Sequence, residues 1–180
     1  MGPARDFIGR HGSHLESLEV VTDLMTIPDD ALRFLLTYWH SRKGRADVPQ
    51  AAALMPEDMR PALGHIMLVD LVDDGWDGIF RLYGTKVAER YGRDLTGYRI
   101  SNVDGGTYIS TFFRAINRLC FETRQPIYSC HQPPATVSVT YWRRLCMPLA
   151  DAEGRIIRLL IGTVAGPSRA PRDGALGSPA

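Results

Sequence analysis

Tyr83, Tyr91, Trp142 and Arg144 are the residues whose types and spacing best fit a binding chemistry. Tyr83 closes a strand-like run from Ile79, Gly84 turns the chain, and Tyr91 closes a short helix-like run from Thr85. Trp142 and Arg144 sit two apart in an alternating stretch, so they share one face of a strand. Aromatic walls with one cation would suit an acidic or aromatic ligand, because the rings bury area and the guanidinium pairs with an anion. Arg143 becomes the cation if the strand faces are reversed. The same residues also fit an ordinary core, with Tyr83 and Trp142 inside and Arg144 at the rim.

Other chemistries find weaker support. His65, His131 and, less well placed, His40 are the candidate haem ligands, each a lone histidine. Covalent haem would need Cys-x-x-Cys-His, and Cys130-His131 lacks the first thiol because residue 127 is Ile. A zinc site from Cys120, Cys130, His131 and Cys146 would need a chance alignment of strands, since none of the usual paired spacings is present. The phosphate-loop ending, the Gly-x-Ser-x-Gly elbow and the twelve-residue calcium loop are all missing, so Asp73, Asp74 and Asp77 read as a solvated turn. A small acid–base enzyme would have only Asp70 and His131 to draw on. No cofactor follows from the residues, and the ligand stays unknown.

The chain of 180 residues is long enough for one domain with extensions, and its 44% apolar and 23% charged residues are those of a soluble globular protein. A net charge of +1 argues against a large surface for nucleic acid or anionic membrane. Three cysteines without paired spacing point to reduced thiols in a cytoplasm. No run approaches the ~20 apolar residues of a membrane span, and no secretory signal is evident.

The elements that must position the four residues can be read in order. Residues 1–28 form a leader, mobile to residue 12. Ser13 to Glu16 then offers a capping box, and Leu15, Leu18, Val21 and Met25 take the spacing of a short amphipathic helix. That stripe would pack on its own domain or against a helix of a second copy. A second helix runs from Asp29 or Asp30 to about Lys43, with Leu32, Leu35, Leu36 and Trp39 on one face. Pro56 opens a short helix ending at Gly64. His65–Val72 and Ile79–Tyr83 make a hairpin across the turn at 73–78, and Thr85–Tyr91 is a short helix capped by Gly92. A long amphipathic helix covers Tyr108 to about Thr123. Three strands follow: Ile127–Gln132, a long Val137–Leu149, and Arg155–Val164 after the turn at 151–154. Residues 166–180 read as a flexible tail. The predicted fold is α+β: a five-stranded antiparallel sheet with helices on one face, preceded by N-terminal helices.

This order resembles a PAS domain, and particular stretches carry the likeness. Phe80-Arg81-Leu82-Tyr83-Gly84-Thr85 followed by Tyr91-Gly92-Arg93-Asp94-Leu95-Thr96-Gly97 is similar to the centre of a bacterial subfamily of short, single-domain PAS proteins. So are Leu35 to Trp39 and Leu145-Cys146-Met147-Pro148-Leu149. The resemblance spans about Asp29 to Val164, within a PAS-like domain of residues 29–165. It implies a sensory or regulatory module, usually not catalytic, that binds a small molecule or acts through a signalling partner, and that pairs as a homodimer. Light-sensing relatives carry Asn-Cys-Arg on a helix, whereas Cys120 follows Leu119, so a photoreceptor is not expected. No output domain is expected within the 180 residues. The alternatives are the small acid–base enzyme and a purely structural dimerisation module, the latter favoured if side chains fill the cavity.

Overall fold

A computed structural model describes residues 14–20, 23–103, 109–133 and 137–169. The first helix, α1 (Asp30–Arg42), forms where the apolar spacing places it, and Leu32, Leu35, Leu36 and Trp39 are all buried. Asp29 occupies its N-cap with extended backbone, but its carboxylate faces the Arg143 guanidinium at 3.4 Å instead of capping the helix. The stretch Pro56–His65, expected as a short helix, is a 3-10 helix; Pro61 lies inside it and lacks the N–H that regular α-helical bonding there would use.

Six strands form one antiparallel sheet: β1 (His14–Val20), β2 (Ile66–Val72), β3 (Asp77–Tyr83), β4 (Ile127–Gln132), β5 (Trp142–Ala150) and β6 (Ile156–Ala165), ordered β1-β4-β5-β6-β2-β3. Five strands were expected, and the sixth is the leader. Where a helix is expected from Ser13 to about Met25, the described residues form β1 and then a 3-10 turn at Leu24–Thr26. Without β1 the backbone edge of β4 would lie open, and pairing with the leader satisfies it.

The sheet is covered on both faces, not one. On one side α1 and the 3-10 helix pack against Tyr128, Cys130, Leu145, Met147 and Leu149. The Trp39 indole donates a buried hydrogen bond of 2.8 Å to the Pro148 carbonyl. Helix α1 lies so close to β6 that a Cβ on Gly162 would stand 2.6 Å from Leu32. On the other side α2 (Thr85–Tyr91) and α3 (Ile109–Thr123) cover a second core of Met67, Phe80, Phe112, Ile116, Cys146 and Ile161. Gly92 ends α2 in the left-handed conformation at φ 97°, as the glycine cap requires.

Two boundaries differ from expectation. Regular β5 begins at Trp142, not Val137; residues 138–141 pair irregularly with 166–169, through Thr140 N to Pro167 O at 2.9 Å and Gly166 N to Tyr141 O at 2.9 Å. Residues 166–169 are therefore hydrogen-bonded rather than a free tail. Residues 1–13, including the capping-box Ser13, Val21, Tyr108, the turn residues 104–106, Pro134 and the tail from 170 onward lie outside the described residues.

Candidate functional site

Buried space between the sheet and the α2–α3 face is lined by Met67, Tyr83, Val87, Tyr91, Phe113, Val137, Trp142, Arg144 and Thr163. All four residues singled out from the sequence are among them. Tyr83 arrives at the end of β3, and the chain then turns at Gly84, where a Cβ would stand 2.5 Å from the Gly64 carbonyl and 2.7 Å from that of Ile66. Only glycine fits that crossing, and it throws α2 back over the sheet so that Tyr91 comes within 6.4 Å of the Tyr83 ring centroid. Phe80 packs edge-on to Tyr83 at 5.2 Å.

Trp142 and Arg144 share the inner face of β5, as their period of two requires. Arg143 points to the α1 side, where it pairs with Asp29 and lies 4.5 Å from the Tyr141 ring centroid, so it is not the cavity cation. The rim position considered for Arg144 is also excluded, for the residue is 1% exposed and its guanidinium carbon sits 3.7 Å from the centroid of Phe113. Burial raises the Tyr83 phenol well above its ordinary range, outweighing the opposing Arg144 charge, and keeps it protonated. His131 lies on the same inner face with its ring 4.0 Å from that of Phe112. Its pKa is driven well below the usual histidine range by burial and then by the Arg144 charge, so it is neutral at pH 7.

The open space within this lining is about 20 Å³, room for about one water. Anything larger has to move a side chain.

The remaining candidates scatter. Asp70 lies on the α1 side of β2, bound to Arg158 at 2.5 Å and Arg81 at 2.9 Å, and does not reach the cavity. His65 holds the Thr163 carbonyl through Nδ1 at 3.1 Å, and burial lowers its pKa. His40 lies on the exposed side of α1 beside Trp39. Cys130 and His131 are adjacent on β4 and so point to opposite faces; Cys130 meets the Glu16 carboxylate at 3.0 Å, and burial and that charge push its thiol up to about 12. Cys120 donates to the Cys146 carbonyl at 3.4 Å. Among the described residues no group of histidine, cysteine and carboxylate side chains is placed to hold a metal.

Phe113 and Thr163 were missed as site residues. Sequence pattern places Phe113 only on the apolar face of an amphipathic helix. Thr163 stands directly opposite Arg144, which depends on the β5–β6 register.

A family model described as a PAS domain matches residues 28–164, more than half of the chain. The chain belongs to the PAS domain family. PAS domains are typically sensory rather than catalytic, and this one has the α+β architecture expected of the family. A comparison with curated proteins finds no match. One similar solved structure is a light-oxygen-voltage domain studied with a flavin analogue: 13% identity and a TM-score of 0.43 over 62% of this chain and 83% of that one. Another is an RNA-binding light-oxygen-voltage receptor: 13% identity and a TM-score of 0.47 over 83% of this chain and 38% of that one. This PAS domain thus matches well under half of the receptor's length. The flavin analogue and the RNA belong to those two proteins. Among the described residues no helix is long and apolar enough to cross a membrane.

Proposed function

We propose that this PAS domain is a sensor that takes a small molecule into the cavity at Tyr83, Tyr91, Trp142 and Arg144 and reports it by contact with a signalling partner or a second copy of itself. The observation that carries this reading is a fully buried guanidinium within an aromatic lining that four elements of the fold build together. A guanidinium held among aromatic rings can meet an acidic or aromatic ligand by charge and by stacking. Three buried free thiols favour a reducing compartment, the cytoplasm. The sensory unit is residues 29–165, with the leader docked on it as an edge strand.

Native mass spectrometry of freshly purified protein tests this. A retained small molecule on the wild type that is lost from Trp142→Ala, both running as homodimers, is the expected result. The small enzyme is disfavoured because Asp70 faces away from the cavity, bound to Arg158 and Arg81, and so supplies no carboxylate to it. The dimerisation module remains the second reading, favoured by an open space of only about 20 Å³. It predicts a ligand-free dimer that Trp142→Ala leaves unchanged.

A further inference from the structure

Beside the cavity runs a polar row across three strands. Ser129 on β4 and Thr163 on β6 stand directly opposite Arg144, one on each side, and the three are 0%, 3% and 1% exposed. The Arg144 guanidinium already has the Phe113 ring against it, so the cation is not what the row leaves unmet. The two ends are. Ser129 Oγ and Thr163 Oγ1 have no hydrogen-bond partner among the described residues. Buried hydroxyls are nearly always paired, so two orphans at the ends of one row mark a place for a further group. Two strand spacings separate them, about 10 Å. The single water that the open space admits can meet one of them but not both.

We infer that the cavity takes a small neutral molecule with one flat aromatic ring and a hydroxyl or carbonyl at each of two opposite ends. Its ring takes the place of Phe113 over Arg144, and its ends meet Ser129 and Thr163. This rests on the ligand-binding reading above. Phe113 is only half-buried on α3, and its ring has the size of the one that would replace it. The exchange leaves the guanidinium under an aromatic face, so that contact is kept. The gain is at the ends, because each hydroxyl can donate one hydrogen bond and accept others. Met67, Val87, Val137 and Trp142 supply apolar walls for the ring. A charged end group fares worse. No carboxylate lines the cavity among the described residues to meet a cation, and a carboxylate would leave water for a single hydroxyl while Arg144 stays engaged with the ring.

The test uses the full chain labelled with 5-fluorotryptophan, its fluorine resonances assigned by single Trp→Phe variants. It is titrated with para-benzenedimethanol, which carries a hydroxyl at each end, with toluene, which carries none, and with para-(hydroxymethyl)benzoate, which is charged at one end. The diol is expected to move the Trp142 resonance saturably while Trp39, buried on the α1 side, stays put. Thr163→Val and Ser129→Ala are each expected to weaken the diol about fivefold and to leave toluene within about twofold. Each variant removes an unpaired buried hydroxyl, so its melting temperature should stay near that of the wild type, and a loss of binding is then not a loss of fold. The benzoate is expected to bind at least about tenfold more weakly than the diol. A diol affinity unchanged in both variants, or an equal loss for toluene, overturns the hydrogen-bonding row and leaves the ligand-binding cavity standing. Tighter binding of the benzoate than of the diol overturns the neutral assignment in the same way. If none of the three compounds moves Trp142, both readings fall.

Discussion

The Arg144 guanidinium rests 3.7 Å from the centre of the Phe113 ring, on the face of the sheet that α2 and α3 cover. A desolvated cation–π contact of this kind contributes about 2 kcal/mol, yet taking the charge out of water costs several. Which effect wins is measurable. Lysine keeps the charge but concentrates it on a strongly hydrated ammonium that cannot stack, whereas methionine removes the charge. Arg144→Lys is therefore expected to lower stability by about 2 kcal/mol and Arg144→Met by less. Urea midpoints at constant m-value give the order, and a reversed order would mean that the positive charge itself holds the fold together.

Gly84 and Gly92 flank α2 but are constrained differently. A Cβ on Gly84 runs into two backbone carbonyls, which cannot rotate away, while Gly92 has φ 97° and open space around it. Gly84→Ala is expected to cost about 3 kcal/mol through overpacking, and Gly92→Ala about 1 kcal/mol through backbone strain. Thermal melts should rank them in that order.

Asp77 is 4% exposed, and its carboxylate takes hydrogen bonds from Arg99 Nε at 2.7 Å, Gly78 N at 2.8 Å and Ser101 N at 3.2 Å, tying the segment after α2 across the edge of β3. Burial alone would raise its pKa, but these partners hold it below the ordinary 3.8. A carboxyl depressed in the folded state stabilises above its unfolded pKa, and that stabilisation is lost as pH falls through the folded pKa. Asp77→Asn should cost roughly 1–3 kcal/mol at pH 7, and the gap to wild type should narrow below about pH 4. Urea titrations at pH 7, 5 and 3 would show it; a gap independent of pH would refute the ionic role.

Cys120 and Cys146 are fully buried and Cys130 nearly so, and burial raises the thiols of Cys120 and Cys130. The native protein should react with a neutral disulfide reagent at least about a hundredfold more slowly than a free thiol, and all three should react at once in denaturant. Fast modification of one native thiol would mean local opening at its strand or helix.

Short-range signals settled much of this fold. The i, i+3, i+4, i+7 spacing of Leu32, Leu35, Leu36 and Trp39 is a property of the chain itself, and α1 forms there. A glycine cap needs no distant partner, and Gly92 provides it. The period of two put Trp142 and Arg144 on one face, and Gly84 separated Tyr83 from Tyr91 by a strand-to-helix turn, so the four cavity residues were legible before any contact between them was known.

What the tertiary structure decided was everything set by a distant partner. The leader has apolar residues at helical spacing, yet it forms β1, because the backbone edge of β4 supplies hydrogen bonds that local spacing cannot register. Thr163 faces Arg144 only because the β5–β6 ladder shifts between Leu149 and Ala150; a count back from the turn without that irregularity would set Arg144 opposite Gly162. A one-residue slip turns every side chain to the other face. The sequence by itself determined which residues could wall a cavity and where the chain turns. Only the packed sheet decided that Arg144 is buried between Ser129 and Thr163 beneath Phe113, since register and helix placement follow from contacts far apart in the chain.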